Sequence, residues 1–342
     1  MRLIAGLALI ACFMTDLAAG AAELPLPPPF VWPPSDKGFA WRPFDKTPST
    51  YTGDFGLRFW YGRSSTAKNL YDPSGTFMVS RLTYDNLSIF AAEAYTRFDI
   101  DRRWFVKGYA GGGALRKGFL TDEDFPPAIT PYSGTFSVQE NGSPIYASGD
   151  AGFNALFGPD FRVGLFAGFH YMNETVSAYG CTQEAFNPFV CGPIPINNRL
   201  KVITQDNNWY SMRIGIDGAW EIGRFKFSAE GVWLPYVGLY GSDAHWLRIS
   251  NAFGDFNGPV PEDGRGWGYQ FEGFMQYRIT EALSIGFGGR YWHMQTHGLT
   301  HFEGHINGVA ALPQPVEWKV NNFGAFVQLS LKFGPYYVID VH

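Results

Sequence analysis

The sequence predicts an all-β protein, a ten-stranded antiparallel transmembrane β-barrel with long extracellular loops. Three observations carry that reading. From residue 52 onward, apolar residues recur at every second position, over stretches much longer than the five or six residues of a typical soluble strand. The connections between these stretches alternate short and long, as in a barrel with periplasmic turns and outer loops. The N-terminus has the form of a secretory signal. Composition agrees: 18% of the 342 residues are aromatic, 41 are Gly and only 17% are charged. That aromatic load excludes intrinsic disorder and a coiled coil. A net charge of −5 gives no basic footprint, so no nucleic-acid partner is expected. No run of about 18 apolar residues follows the N-terminus, so no membrane-spanning helix is expected.

The elements follow in chain order. Residues 1–21 read as a signal peptide: Met1-Arg2, an apolar run from Leu3 to Met14, and an A-x-A site at Ala19-Gly20-Ala21. Leu9-Ile10-Ala11-Cys12 offers the alternative of a lipoprotein box. Residues 22–50 are a Pro-rich leader containing Pro27-Pro28-Pro29, expected to be extended. The barrel is expected over 51–333, with strands at 52–63, 76–98, 104–119, 144–157, 161–178, 204–221, 224–242, 265–279, 283–296 and 318–333. In 204–221, Tyr210, Met212, Ile214 and Ile216 oppose Ser211, Arg213, Gly215 and Asp217; in 318–333, Val327, Leu329 and Leu331 oppose Gln328, Ser330 and Lys332. Each strand thus has one face for lipid and one for the lumen. The short gaps are 99–103, 158–160, 222–223 and 280–282; the long ones are 64–75, 120–143, 179–203, 243–264 and 297–317. The second strand is long enough to break near Asp85-Asn86. Pro235 removes a ladder donor and predicts a bulge above the membrane. Trp104, Trp209, Trp233 and Trp292, near strand ends, read as girdle residues at the membrane interface. Phe333 is the expected closing aromatic, and 334–342 form a tail.

Cys181 and Cys191 lie in a Gly/Pro/Asn-rich stretch, where an oxidising compartment favours a disulfide over two free thiols. Ten strands are too few for an open porin channel, so function is expected at the outer rim. Two clusters fall there. Asp122 and Asp124 lie past the top of the third strand, and Asp243 and His245 past the top of the seventh, roughly opposite in the ring. Each pair is spaced i, i+2, so in extended chain both side chains share a face. A carboxylate beside His fixes its tautomer and raises its basicity. Two close carboxylates cannot both ionise cheaply, so one holds a proton near neutral pH. Together they could activate a water for attack on a carbonyl. Solvated loop acids, or a Ca²⁺ site at Asp122 and Asp124, remain alternatives for these residues. His293, His297, His301 and His305 recur every four residues, but on a strand end and an outer loop, where that spacing makes no helical metal stripe.

The chain resembles the omptin family, the outer-membrane endopeptidases of Gram-negative bacteria. The likeness runs along most of the mature chain: Ser80-Arg81-Leu82-Thr83-Tyr84, the Gly-rich strand end from Gly111 leading to Asp124, Phe161 to Phe169, and Ser242-Asp243-Ala244-His245. The resemblance implies an aspartic-type endopeptidase in the outer membrane with its active site outside the cell. Asp122 and Asp124 would be the carboxylate pair, His245 the base and Asp243 its orienting partner. It implies polypeptide substrates, no metal and no cofactor, and a lipopolysaccharide requirement; a monomer among outer-membrane lipid is expected. The family's preference for basic residues rests on acids in the first long loop and just before the Asp-x-His. Here that loop carries no acid before Asp72, and the position two before Asp243 is Gly241, so a dibasic preference is not expected. His170 to Glu174 also lacks the arginine expected for lipopolysaccharide. The rival reading is a non-enzymatic barrel of the same fold, an adhesin or a surface structural protein.

Overall fold

The computed structural model describes residues 51–249, 255–306 and 311–334. The expected signal peptide, the leader and all of the tail beyond Gly334 lie outside them. The ten strands are β1 Tyr51–Tyr71, β2 Met78–Ile100, β3 in two segments (Trp104–Arg116 and Gly118–Asp124), β4 Ser133–Phe157, β5 Phe161–Gln183, β6 Ile196–Ile222, β7 Phe225–His245, β8 Val260–Arg278, β9 Leu283–Thr300 and β10 Gln314–Phe333. One short helix, α1 (Trp246–Ile249), follows β7. Every strand pairs antiparallel with its chain neighbours, and β1 pairs with both β2 and β10, so the sheet closes on itself. Closure pairs the strand edges that an open sheet would leave in hydrocarbon.

The expected faces are the observed ones. Tyr210, Met212, Ile214 and Ile216 point out, while Ser211, Arg213 and Asp217 are buried inside. Phe55, Leu57, Phe59, Phe287 and Leu329 continue the apolar outer belt. Trp104 and Trp233 are exposed on the outside, as expected of girdle residues. Trp209 and Trp292 are not: both are buried in the lumen. Parity explains the correction, because each lies next in sequence to an outward residue, Tyr210 or Tyr291, and so points in.

The lumen is plugged at mid-height, with a polar cavity below the plug lined by Asp54, Arg97, Lys107 and Asp217. Trp60, Tyr146 and His170 pack edge-on around Trp292, with ring centroids 5.1–5.2 Å away, and Tyr109 stacks on it at 6.1 Å. The Trp60 indole lies against the facing pair Gly62 and Gly324, where a Cβ would stand 2.9 Å and 2.3 Å from its Nε1. Arg290 packs on this aromatic layer and bonds Glu93 and Glu272, which Arg58 also reaches. Buried charges persist in such a place only when paired.

The strands run further than expected at the end away from Tyr51 and Phe333. The long connections shrink to 72–77, 125–132, 184–195, 246–259 and 301–313. Beyond the apolar belt the outer face turns polar, as at Arg63, Ser65 and Asn69 of β1. The two faces then no longer differ in hydropathy, although the pairing continues. β2 is not broken at Asp85-Asn86 but bulged there, with Asn86 at φ 58°. The break falls in β3, at Lys117 with φ 60°. Below these points β2 and β3 turn odd-numbered residues inward; above them Ser80, Leu82 and Tyr84 face Asp124, Asp122 and Leu120 across the ladder and the even set points in. Without this reversal Asp122 and Asp124 would point away from the lumen. The bulge at Pro235 is present, with register shifts on both sides. It lies beside the outward Trp233 and Tyr236. The Cys181–Cys191 disulfide is formed and closes the connection between β5 and β6.

Candidate functional site

The four residues singled out in sequence lie not on loops but on strands, above the apolar belt. Asp122 and Asp124 stand on the upper segment of β3, and Asp243 and His245 on the last residues of β7. His245 Nε2 is 3.1 Å from Asp243 Oδ2. The ring is only partly covered, with 22% of its side chain exposed, and it meets Phe256 edge-on at 5.9 Å. Asp122 lies close enough to Asp124, His245, Asp243 and Lys68 to feel their charges.

Burial, and then the neighbouring Asp124, push Asp122 up to about 7. Burial also raises Asp124, against a hydrogen bond with Ser80 and the field of His245. The pair therefore holds a proton into the neutral range. Burial opposes ionisation of Asp243 as well, but His245 and Lys68 outweigh it and hold that carboxyl well below the usual range. Burial alone would lower His245; the Asp243 carboxylate overrides it and leaves the ring readier to hold a proton. One acid pair is thus kept partly neutral and the other carboxylate ionised, by environment alone.

Three participants were not singled out in sequence. Lys68 of β1 is buried and reaches across the lumen, with Nζ 2.7 Å from Asp243 Oδ2. It also ion-pairs with Glu262 of β8, which accepts hydrogen bonds from Gln205 and Thr300 at 3.1 Å. Trp318 lies beneath the ammonium, 5.6 Å away. Tyr84 of β2 is fully buried, and its hydroxyl is kept un-ionised by burial and by Asp243, Asp122 and Glu262. The signal for Lys68 was parity: Arg58, Ser64, Thr66 and Lys68 are buried lumen positions on one unbroken face of β1. Glu262 lay in a stretch expected to be loop. It adds an acid to the cleft, but one already committed to Lys68.

His293 and His297 fall on β9, His301 and His305 in the connection after it; His301 bonds Asp263 at 2.7 Å and Glu303 at 2.8 Å. Among the described residues no three His, Cys, Asp or Glu side chains form a metal-ligating group.

A closed amphipathic barrel, apolar outside and polar inside, defines an outer-membrane β-barrel protein. No protein-family model and no curated protein sequence matches the chain. Among solved structures it is similar to the outer membrane protease OmpT from Escherichia coli, at TM-score 0.63 and 14% identity, over 83% of this chain and 97% of that one. It also matches OprG from Pseudomonas aeruginosa (TM-score 0.35, 12% identity, 82% and 96% covered) and Ail from Yersinia pestis (0.26, 10%, 82% and 99%). The OmpT likeness establishes the fold.

Proposed function

We propose that the protein is an omptin-like endopeptidase of the outer membrane that hydrolyses peptide bonds of extracellular polypeptides. The observation that carries this reading is the His245–Asp243 pair at the end of β7, joined at 3.1 Å, together with Asp122 and Asp124 turned inward on the upper segment of β3, strands far apart in the ring. Asp243 engages His245 through Nε2, which leaves Nδ1 to take a proton from a water as that water adds to the scissile carbonyl carbon. The same nitrogen then returns the proton to the departing amine. The proton retained by Asp122 and Asp124 lets one carboxyl donate a hydrogen bond while the other accepts one, which holds the water and the carbonyl oxygen in line. Lys68 is shared between Asp243 and Glu262, so neither is offered freely to a substrate Arg or Lys, and cleavage between basic residues is not the expected rule.

A non-enzymatic adhesin remains the second reading, favoured by Gly241 in place of a pocket acid and by Phe186, Phe189 and Ile194 standing exposed in the disulfide-closed connection. The test is incubation of the refolded barrel, with and without lipopolysaccharide, with a peptide library read by mass spectrometry. The protease reading expects defined cut sites that disappear in His245→Ala and Asp122→Ala. An intact library in every condition, or the same cuts in all three proteins, overturns it.

A further inference from the structure

We propose that Lys68 is a positioning residue of the cleft: its ammonium shares Asp243 Oδ2 with His245 and so limits how firmly Asp243 can hold a proton on the ring. The geometry is specific. Lys68 Nζ lies 2.7 Å and His245 Nε2 3.1 Å from the same carboxylate oxygen, while Asp243 Oδ1 is buried with no partner. Two cationic donors on one oxygen compete for its charge. The lysine is fixed from behind by Glu262 and by the face of Trp318, so it cannot swing aside as a surface lysine would. Lys68 thus does for Asp243 what Asp243 does for His245: it sets orientation and moderates charge. A base paired with an unmoderated buried carboxylate would hold its proton too tightly to be free near neutral pH.

The groups around His245 are few. Asp243 lies on its own strand, Lys68 faces it from β1, Tyr84 lies on β2, Asp122 and Asp124 on β3, and Glu262 on β8 behind the lysine. Arg248 of α1, bonded to Asp255, stands on the outer side. Of these, Lys68 alone is a cation in contact with Asp243.

The test uses the folded barrel labelled with ¹³C-histidine, the His245 resonance being assigned by its loss in His245→Gln. The NMR titration midpoint of His245 is compared in wild type, Lys68→Met and Lys68→Arg. Removing the cation should raise the midpoint by about one unit or more, and arginine should return it most of the way. Should Lys68→Met fail to fold, as judged by its gel mobility before and after boiling, Lys68→Met/Glu262→Gln removes the lysine together with its second acid. The same rise is expected there. A midpoint that stays put or falls in the folded variant overturns the proposal.

This role deepens the hydrolytic reading of the site, and kinetics provide a second arm. The acid limb of kcat/KM should move to higher pH with the NMR midpoint. A shifted midpoint in a barrel that cleaves nothing would sustain the role of Lys68 and count against the protease, so the two ideas fail separately.

Discussion

At the scale of single residues, the cleft is a set of protonation states imposed by surroundings. Asp122 is the clearest case. Its affinity for a proton is raised in the folded barrel, so the stability it contributes is full below the unfolded value near 4 and is lost as pH rises to about 7. Above that point its buried charge beside Asp124 opposes folding. Asp122→Asn should therefore abolish cleavage yet raise resistance to urea at pH 8, by on the order of 2 kcal/mol, with a much smaller difference at pH 4. Urea titrations at the two pH values check the sign; a loss of stability at pH 8 would contradict it. Asp243 works in the other direction. Its proton affinity is depressed, so its contribution is present above its unfolded value and is lost on acidification. Asp243→Ala should cost about 1–3 kcal/mol at neutral pH, because His245 loses its partner while Lys68 keeps Glu262.

Among the strands, the decisive feature is the irregularity shared by β2 and β3. Asn86 and Lys117 both take positive φ, and there the inward parity changes from odd to even. That change aims Asp122 and Asp124 into the cleft. A β-branched side chain is poorly suited to such a backbone, whereas glycine adopts it freely. Lys117→Val should lower the unfolding free energy measured in urea by about 1–3 kcal/mol and weaken cleavage, while Lys117→Gly should leave both near wild type. Equal behaviour of the two variants would mean that the break does not position the pair. Alternation made the membrane-spanning part of each strand legible, because lipid outside and ion pairs inside give the two faces opposite hydropathy. The upper extensions were not legible. With a polar outer face they lack that contrast, which is why Lys68 and Glu262 fell in expected loops. The aspartates and the Asp-x-His stood out because i, i+2 acids are readable as a motif, whereas a lysine reaching across the lumen is visible only once the sheet closes.

Taken whole, the molecule is a barrel stoppered at mid-height, with the proposed site at its rim. The layer of Trp60, Tyr109, Tyr146, His170 and Trp292, with the Arg58, Glu93, Glu272 and Arg290 cluster against it, packs across the lumen among the described residues. Planar-bilayer recordings of the wild type should show no steady conductance, and Trp292→Ala should introduce a leak; a stable open channel in the wild type would revive a transport role. The disulfide belongs to the rim. Cys181→Ser should leave the barrel folded while exposing residues 184–195 to added protease. If Asp122, Asp124, Asp243 and His245 form one hydrolytic unit, kcat/KM on a single cleaved peptide should show it across wild type, His245→Ala, Asp122→Ala and the double variant. Each single variant should lose at least about 10³-fold and the double little more, since parts of one machine are not additive. Wild-type activity surviving in either single variant would mean that the four residues are not a hydrolytic unit.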